Sequence, residues 1–219
     1  MDIGSKIKEF FKGEITTNET DLEKYSRDAS LFKIKPSLVV FPKDTEDLKN
    51  LIKFISKNKN EDPSLSLTVR SGGTDMTGAA VSESIIADVS KYINKFKDIG
   101  NDYVVVEPGI FYRDFEKETL KKGLLLPSYP ASREICTIGG MVANNSGGEK
   151  TLAYGKTIDY VKELKIILRD GNEYTFGPVT QEELEHKKKP ENLEGDIYRK
   201  VSDLVMNNYD LLQKAKPKV

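Results

Sequence analysis

Two glycine-rich segments carry residue types that could bind an anionic cofactor. The first glycine segment, Arg70 to Gly78, reads RSGGTDMTG. Its small residues allow positive φ angles, so that several backbone N–H groups can converge on one concave side, as in phosphate-binding nests. Ser71, Thr74 and Thr77 offer hydroxyl donors as well. The pattern predicts a phosphate-binding loop, although a tight turn leaving a strand would use similar residues.

The second glycine segment, Thr137 to Gly148, reads TIGGMVANNSGG. Gly139 and Gly140 permit close approach by another backbone or by a flat ligand. A helix that begins near the second residue of this segment would point its N–H groups at an anion. The side-chain amides of Asn144 and Asn145 could address the polar edge of a heterocycle. A glycine-rich surface loop is the alternative interpretation, but the apolar residues in the segment favour burial.

Neither segment matches the common nucleotide-binding motifs. A P-loop needs glycine before Lys150, where the chain has Glu149, and its first glycine would fall on Asn144. The first segment lacks the GxGxxG spacing and is not followed by a Rossmann-type helix pattern. Binding of ATP by a Walker mechanism and of NAD by the usual mechanism is therefore disfavoured.

Regular elements are predicted on both sides of the first segment. Leu38–Phe41 reads as a short buried strand between two prolines, and Asp44 as the cap of a helix with apolar positions at helical intervals. Leu65, Leu67 and Val69 alternate as a second strand. Strand, helix and strand in this order imply a parallel crossover, with the first glycine segment directly after the second strand.

The rest of the chain alternates between strands and helices. Further strands are predicted at 85–89 and 104–107, a helix at 112–122, a hairpin over 161–176 and a helical tail over 195–212. Core packing is the interpretation of the apolar stripe on that tail, which consists of Ile197, Val201, Leu204 and Val205. The element pattern predicts an α+β or mixed α/β domain.

Composition excludes several function classes. The formal net charge is -1, so no global field would hold nucleic acid. One cysteine and one histidine exclude an intrachain disulfide and a His-rich metal site, and both counts suit a reducing cytoplasm. No apolar run reaches the roughly 20 residues of a membrane span, and the N-terminus lacks a signal-peptide pattern. Ile3, Ile7, Phe10 and Phe11 predict a short amphipathic helix docked on the core, with attachment to a membrane surface as the alternative.

Further motifs occur in order along the chain: YSRDAS at 25–30, PSLVVFP at 36–42, VEPG at 106–109, PSYPAS at 127–132, YG at 154–155 and DYV at 159–161. Together with the glycine segments, they resemble the FAD-binding domain of the vanillyl-alcohol oxidase/p-cresol methylhydroxylase flavoprotein family. Within it, the chain is similar to the glycolate oxidase subunit and the D-lactate or D-2-hydroxyglutarate dehydrogenases. The resemblance covers roughly Thr16 to Gly171. It implies an α+β, PCMH-type fold of two α/β subdomains, a small parallel βαβ unit and a larger mixed or antiparallel sheet with flanking helices.

The resemblance also implies roles for residues. Backbone amides of the first segment would wrap the pyrophosphate of FAD, and Ser132 and the second segment would lie against the flavin and the pyrophosphate. Pro108 and Gly109 would sit near the adenine. The cofactor-contacting residues implied in this way are Ser71, Gly72, Gly73, Thr74, Asp75, Met76, Thr77, Pro108, Gly109, Ser132, Thr137, Ile138, Gly139, Gly140, Ala143, Asn144, Asn145, Ser146, Gly147 and Gly148.

Some residues depart from the family pattern. Relatives often have glycine where this chain has Ser71, Asp75 and Ala79. The carboxylate of Asp75 would repel a pyrophosphate unless it bonds within its own turn. Members that tether the flavin often use a histidine where this chain has Thr74, so non-covalent FAD is implied. Cys136 is interpreted as a small packing residue and His186 as a solvated loop residue.

The resemblance implies an oxidoreductase that passes hydride from a 2-hydroxy acid, such as D-lactate or glycolate, to FAD. In the family, a second domain covers the flavin and supplies catalytic groups, and a Gly-Ser-Glu-Gly-Thr-Leu-Gly segment precedes it; neither is found in this sequence. We therefore expect one FAD-binding domain over 1–219, with a core at about 16–212, an incomplete C-terminal end and no catalytic or metal-ligating residues of its own. The alternatives are an FAD-binding module that acts only with a partner supplying the cap, and an interaction protein with an empty flavin site.

Overall fold

The computed structural model describes residues 3–217, and the chain divides after Val161 into two compact units. The first unit contains, in chain order, α1 (Ile3–Lys8), β1 (Glu14–Thr16), α2 (Glu19–Tyr25), β2 (Leu38–Phe41), α3 (Thr45–Asn58), β3 (Leu67–Arg70), β4 (Ile85–Asp88), β5 (Phe96–Ile99), β6 (Val104–Val106), α4 (Tyr112–Leu120), α5 (Ile138–Ala143), α6 (Thr151–Tyr154) and a 3₁₀ helix (Thr157–Tyr160). The second contains β7 (Leu164–Ile167), β8 (Glu173–Phe176), α7 (Gln181–Lys187), α8 (Leu193–Asn207) and α9 (Tyr209–Ala215). No helix within 3–217 is long and apolar enough to cross a membrane.

A four-stranded sheet with the order β1-β2-β4-β3 forms the centre of the first unit. β2 and β3 both run parallel to β4, which confirms the predicted crossover, and β1 is antiparallel to β2. The predicted cap is present, because Asp44 Oδ1 accepts the N–H of Asp47 at 3.0 Å. The α+β class is confirmed. The other antiparallel pairs, β5–β6 and β7–β8, are separate two-stranded sheets and not one larger sheet.

Both faces of the four-stranded sheet are covered, as the continuous apolar run of β2 requires. Leu38 and Val40 pack with Leu51 of α3 on one face, while Val39 packs with Leu22 of α2 on the other. A third cluster joins α4, α5 and the β5–β6 pair around Tyr112, Phe115, Tyr129, Cys136 and Met141. This third cluster supports the second glycine segment, because Met141 lies inside it.

The N-terminal helix packs on the chain's own core. Ile7 is fully buried and Phe11 is nearly so, and both belong to the cluster formed with β2 and α3. The Asp47 carboxylate fixes the segment that follows, since it accepts the N–H groups of Lys12 at 2.9 Å and Lys43 at 2.8 Å. The predicted docking of this helix is confirmed.

The second unit has the predicted hairpin, with Gly171 in its turn at a φ of 72°. The tail is helical as predicted, but its interpretation as a core-packing helix is wrong. Val201 is 54% exposed and Leu204 65%, because no layer of the described residues covers this face. His186 is exposed as predicted, but it lies on α7 and not in a loop.

Candidate functional site

The first glycine segment leaves the carboxyl end of β3, at the edge of the parallel part of the sheet. Gly73 and Gly78 have φ angles of 64° and 86°, which glycine adopts without steric cost. Within residues 3–217, none of the five consecutive N–H groups from Gly72 to Met76 donates to a protein atom. Consecutive N–H groups without protein partners are the donors that an anion requires.

Asp75 stabilises its own turn. Its Oδ2 accepts the N–H of Thr77 at 2.9 Å, the hydroxyl of Thr77 at 2.7 Å and the N–H of Ala79 at 2.9 Å. These bonds, led by that from Ala79, hold the pKa of Asp75 below its usual range. The prediction that this carboxylate bonds within the turn is confirmed, and the prediction that Thr77 offers a free hydroxyl is wrong.

The two glycine segments touch each other. Ser71 Oγ and Thr137 Oγ1 are 2.5 Å apart, and a Cβ on Gly72 would lie 2.4 Å from the carbonyl oxygen of Ile135. Because Ser71 bonds to Thr137, Thr74 is the one predicted hydroxyl donor of the first segment without a protein partner in the described part of the chain. The contact joins residues that are 66 positions apart.

The second segment forms α5, which begins after Thr137 as predicted. Its first N–H groups, however, bond to protein. Ile138 donates to the carbonyl of Ile110 at 3.0 Å, Gly139 to that of Pro108 at 2.9 Å, and Gly140 to Thr137 Oγ1 at 3.2 Å. The prediction that they point at an anion is wrong, because the 108–110 segment and the cap residue Thr137 accept these hydrogen bonds.

Three small residues form the exposed face of α5. Gly140, Ala143 and Asn144 are exposed and share one side of the helix by their spacing. A Cβ on Gly140 would lie 3.6 Å from Ser71 Oγ, so this face adjoins the first segment. Gly139 instead faces inward, where a Cβ would lie 2.5 Å from Pro108 Cβ. The exposed face can therefore receive a flat group without moving a large side chain.

The end of the second segment is fixed by packing. Asn145 has a φ of 45° and its Oδ1 accepts the N–H of Ile158 at 3.0 Å, which fixes the orientation of this side-chain amide. The carbonyl of Ser146 accepts both the N–H and the hydroxyl of Thr157, at 3.0 and 2.8 Å. Gly148 is pressed against the backbone, since its Cβ would lie 2.1 Å from the carbonyl oxygen of Tyr129. A Cβ on Gly147 would lie 2.5 Å from Thr151 Oγ1.

The remaining predicted residues lie around this contact. Gly109 is buried, and a Cβ there would lie 2.3 Å from the carbonyl oxygen of Val89, so packing alone explains this glycine. Pro108 is exposed and abuts Gly139. Ser132 is half-buried, and its carbonyl accepts the N–H of Cys136 at 2.8 Å in the turn that leads to the second segment.

Cys136 is a packing residue, as predicted. It is 3% exposed and lies among Tyr112, Phe115, Tyr129 and Met141. Burial raises the pKa of its thiol to about 11, which keeps it protonated at neutral pH. Residues 3–217 hold no cluster of side chains that could bind a metal ion.

Sequence reasoning did not assign a role to the polar residues beneath the first segment. Arg70 Nη1 donates to the carbonyls of Tyr25 and Ala80, each at 3.2 Å. The Tyr25 hydroxyl donates to buried Asp88 at 2.6 Å, and burial raises the pKa of that hydroxyl. The position of Arg70, at the end of β3 and two residues before the first glycine, is the signal that could have pointed to it.

A donor loop at the carboxyl end of parallel strands, beside a flat face of small residues, defines a domain suited to a nucleotide cofactor. The sequence model of the family described as "FAD binding domain" matches residues 36–177, more than half of the chain. The chain belongs to this family of FAD-binding domains. The match confirms the resemblance that the ordered motifs indicated.

Two dehydrogenases align with more than half of this chain. D-2-hydroxyglutarate dehydrogenase of Pantoea ananatis is 28% identical over 95% of this chain and 20% of its own length. D-lactate dehydrogenase of Archaeoglobus fulgidus is 30% identical over 65% of this chain and 31% of its own length. The chain thus spans about a fifth to a third of these relatives.

A solved structure shows the same fold. Alkyldihydroxyacetonephosphate synthase superposes with a TM-score of 0.68 at 21% identity, over 80% of this chain and 35% of the synthase.

Proposed function

We propose that this chain binds FAD non-covalently through the first glycine segment and the exposed face of α5, as the flavin-binding part of an oxidoreductase that acts on D-2-hydroxy acids. The observation that carries the proposal is the run of N–H groups from Gly72 to Met76 without protein partners, next to Gly140, Ala143 and Asn144. The acid substrate is proposed because the relatives are a D-2-hydroxyglutarate and a D-lactate dehydrogenase.

The residues present fit the cofactor. The pyrophosphate of FAD carries two negative charges. Main-chain N–H groups in a loop of small residues can bind it without a cationic side chain. The isoalloxazine ring is flat, and a wall without large side chains admits a flat ring. Asp75 is already satisfied by three donors of its own turn, so its charge is partly offset there.

In this proposal the chain's own residues bind and orient the cofactor. FAD, when bound, accepts the hydride equivalent that a 2-hydroxy acid loses on oxidation. Gly72 to Met76 hold the phosphates, Ser71 and Thr137 keep the two segments together, and Asn144 presents the one unpaired side-chain amide of the exposed face among the described residues. Groups that bind the acid and take up its proton are proposed to lie outside residues 1–219.

Non-covalent binding is proposed because neither position considered for a covalent bond to the flavin has a suitable group. Cys136 is buried in a packing cluster with a raised thiol pKa, and the first segment has Thr74 in place of a nucleophilic histidine. A second candidate function is an FAD-holding module that turns over substrate only with a separate partner that supplies the cap.

Titration of the purified chain with FAD, followed by the change in flavin fluorescence, tests the proposal. We expect saturable binding of FAD that is at least about tenfold tighter than that of riboflavin, which lacks the phosphates. Acid precipitation should then release all flavin into the supernatant. Equal affinity for FAD and riboflavin, or no binding of either, would contradict the proposal.

Two variants make the test specific. Gly140→Leu places a side chain on the exposed face, where the nearest atoms to a Cβ are 3.2 Å or more away, so the fold should survive while FAD binding is lost. Ala215→Leu is the matched control, because it also places a leucine at an exposed helical position but lies outside both glycine segments. Addition of D-lactate or D-2-hydroxyglutarate with an artificial electron acceptor tests what the two candidate functions share, since turnover by the isolated chain would contradict both.

A further inference from the structure

The base of the first glycine segment is closed by a single side chain. Arg70 is the first residue of the segment and Ala80 lies two residues beyond its last, and Arg70 Nη1 donates to the carbonyl of Ala80 at 3.2 Å. The same Nη1 donates to the carbonyl of Tyr25 at 3.2 Å, which ties the segment to the end of α2. One guanidinium therefore joins the entry of the loop, its exit and a neighbouring helix.

The guanidinium is itself held in place. Its Cζ lies 5.2 Å from the centroid of the Tyr25 ring, in a cation–π arrangement. The Tyr25 hydroxyl donates to Asp88 Oδ2 at 2.6 Å, while Asp88 Oδ1 accepts the N–H and the hydroxyl of Ser90 at 2.7 and 2.6 Å. Asp88 ends β4 and pairs in register with Arg70 at the end of β3. The whole network is thus built on the ends of two parallel strands.

The guanidinium also lies directly against the loop backbone. A Cβ on Gly73 would be 2.5 Å from Arg70 Nη2, and Gly73 is one of the residues with an unpartnered N–H group. Asp28 lies on the same side, because the N–H of the adjacent Ala29 donates to the carbonyl of Gly73 at 3.1 Å. Asp28 Oδ2 is buried and has no hydrogen-bond partner in the described structure.

We propose that Arg70 is a positioning residue that holds the first glycine segment in its phosphate-binding conformation before the cofactor arrives. The inference rests on the proposed binding of FAD. Among the described residues, no protein atom accepts the N–H groups of Gly72 to Met76, so their arrangement depends on the two ends of the loop, on the bond from Ala29 to the Gly73 carbonyl and on the Asp75 turn. Without Arg70 the loop would pay an ordering cost on binding, which lowers affinity.

Arg70→Met tests the proposal, with Arg199→Met as the matched control. Arg199 Nη1 also donates to two backbone carbonyls, those of Lys188 and Pro190, but far from the glycine segments in sequence. We expect Arg70→Met to weaken FAD binding by about tenfold or more and to leave riboflavin binding within about twofold. A purely structural role would weaken both ligands alike, and Arg199→Met should change neither.

Hydrogen–deuterium exchange of the cofactor-free protein gives a second measurement. We expect faster exchange at 71–79 in Arg70→Met, with exchange in α3 unchanged. Unaltered exchange at 71–79 together with wild-type FAD affinity would overturn the proposal. If Arg70→Met does not fold, Arg70→Lys decides: it keeps the charge but lacks the planar guanidinium, whose Nη1 reaches both carbonyls while its Nη2 lies against Gly73. Partial loss of FAD affinity is therefore expected, and full retention overturns the proposal.

The exchange measurement also separates the two proposals. If the wild-type chain fails to bind FAD, the proposed function fails. Faster exchange at 71–79 in the Arg70 variant would still support the role of Arg70 in ordering the loop, and unchanged exchange would reject it.

Discussion

The two glycine segments look alike in sequence but use their backbones in different ways. In the part of the chain that the structure describes, the first leaves the N–H groups of Gly72 to Met76 without protein partners, whereas the second bonds those of Ile138, Gly139 and Gly140 to the protein. Glycine serves positive φ angles in the first segment and close packing in the second. Glycine content alone therefore does not identify a loop that can bind an anion, because that depends on whether its N–H groups already bond to protein.

Among the variants that test this difference, we expect Gly148→Ala to have the largest effect. A Cβ there would lie 2.1 Å from a backbone carbonyl, which cannot move aside as a flexible side chain can. We expect Gly148→Ala to lower the free energy of unfolding by about 1–3 kcal/mol, measured by urea denaturation. Gly140→Ala in the same segment is the control, because its nearest contacts are at 3.2 and 3.6 Å and alanine favours a helix. Equal losses in the two variants would break the distinction between packing and exposed glycines.

A change in the first segment should appear in cofactor affinity instead. Gly73 has a φ of 64°, which costs alanine about 1–2 kcal/mol. Because no hydrogen bond fixes its N–H group, we expect the loop in Gly73→Ala to relax into another conformation, with little loss of stability but about tenfold weaker FAD binding. Gly123→Ala shares the positive φ, at 69°, and has no atom within 4 Å, so it should retain wild-type affinity. A Gly73 variant with unchanged affinity would contradict the donor role of this segment.

The smallest expected effect concerns the link between the segments. A double-mutant cycle of Ser71→Ala and Thr137→Val removes the 2.5 Å contact between their hydroxyls. We expect a coupling free energy of unfolding of about 0.5–1.5 kcal/mol, typical of a hydrogen bond in protein. Strict additivity would show that the segments are neighbours without mutual support.

The fold could be predicted where short stretches of sequence determine the local structure. Asp44 caps α3, apolar periodicity marks that helix, and two prolines bound β2, so the β2–α3–β3 crossover could be predicted. The exposure of Val201 and Leu204 could not, because helical spacing places apolar residues on one side without showing whether another surface covers them.

The candidate site was predictable as a set of residues but not as a set of hydrogen bonds. The start of α5 followed from Thr137 and the glycines after it, yet its N–H groups bond to Ile110 and Pro108, whose proximity depends on tertiary structure. The same limit applies to Arg70, whose partners Tyr25 and Ala80 lie on different elements. Side-chain type indicates what a residue can bond to, and the fold decides which partner it meets.

The exposed face of α5 has one further consequence. Gly140 and Ala143 offer neither charge nor hydrogen-bonding side chains, so on this face the amide of Asn144 is the one side-chain group that can distinguish planar rings by their heteroatoms. Most of the selectivity among planar molecules must then come from whatever else is attached to them. In this domain the groups attached to a planar ring, rather than the ring itself, would largely decide which ligand is bound.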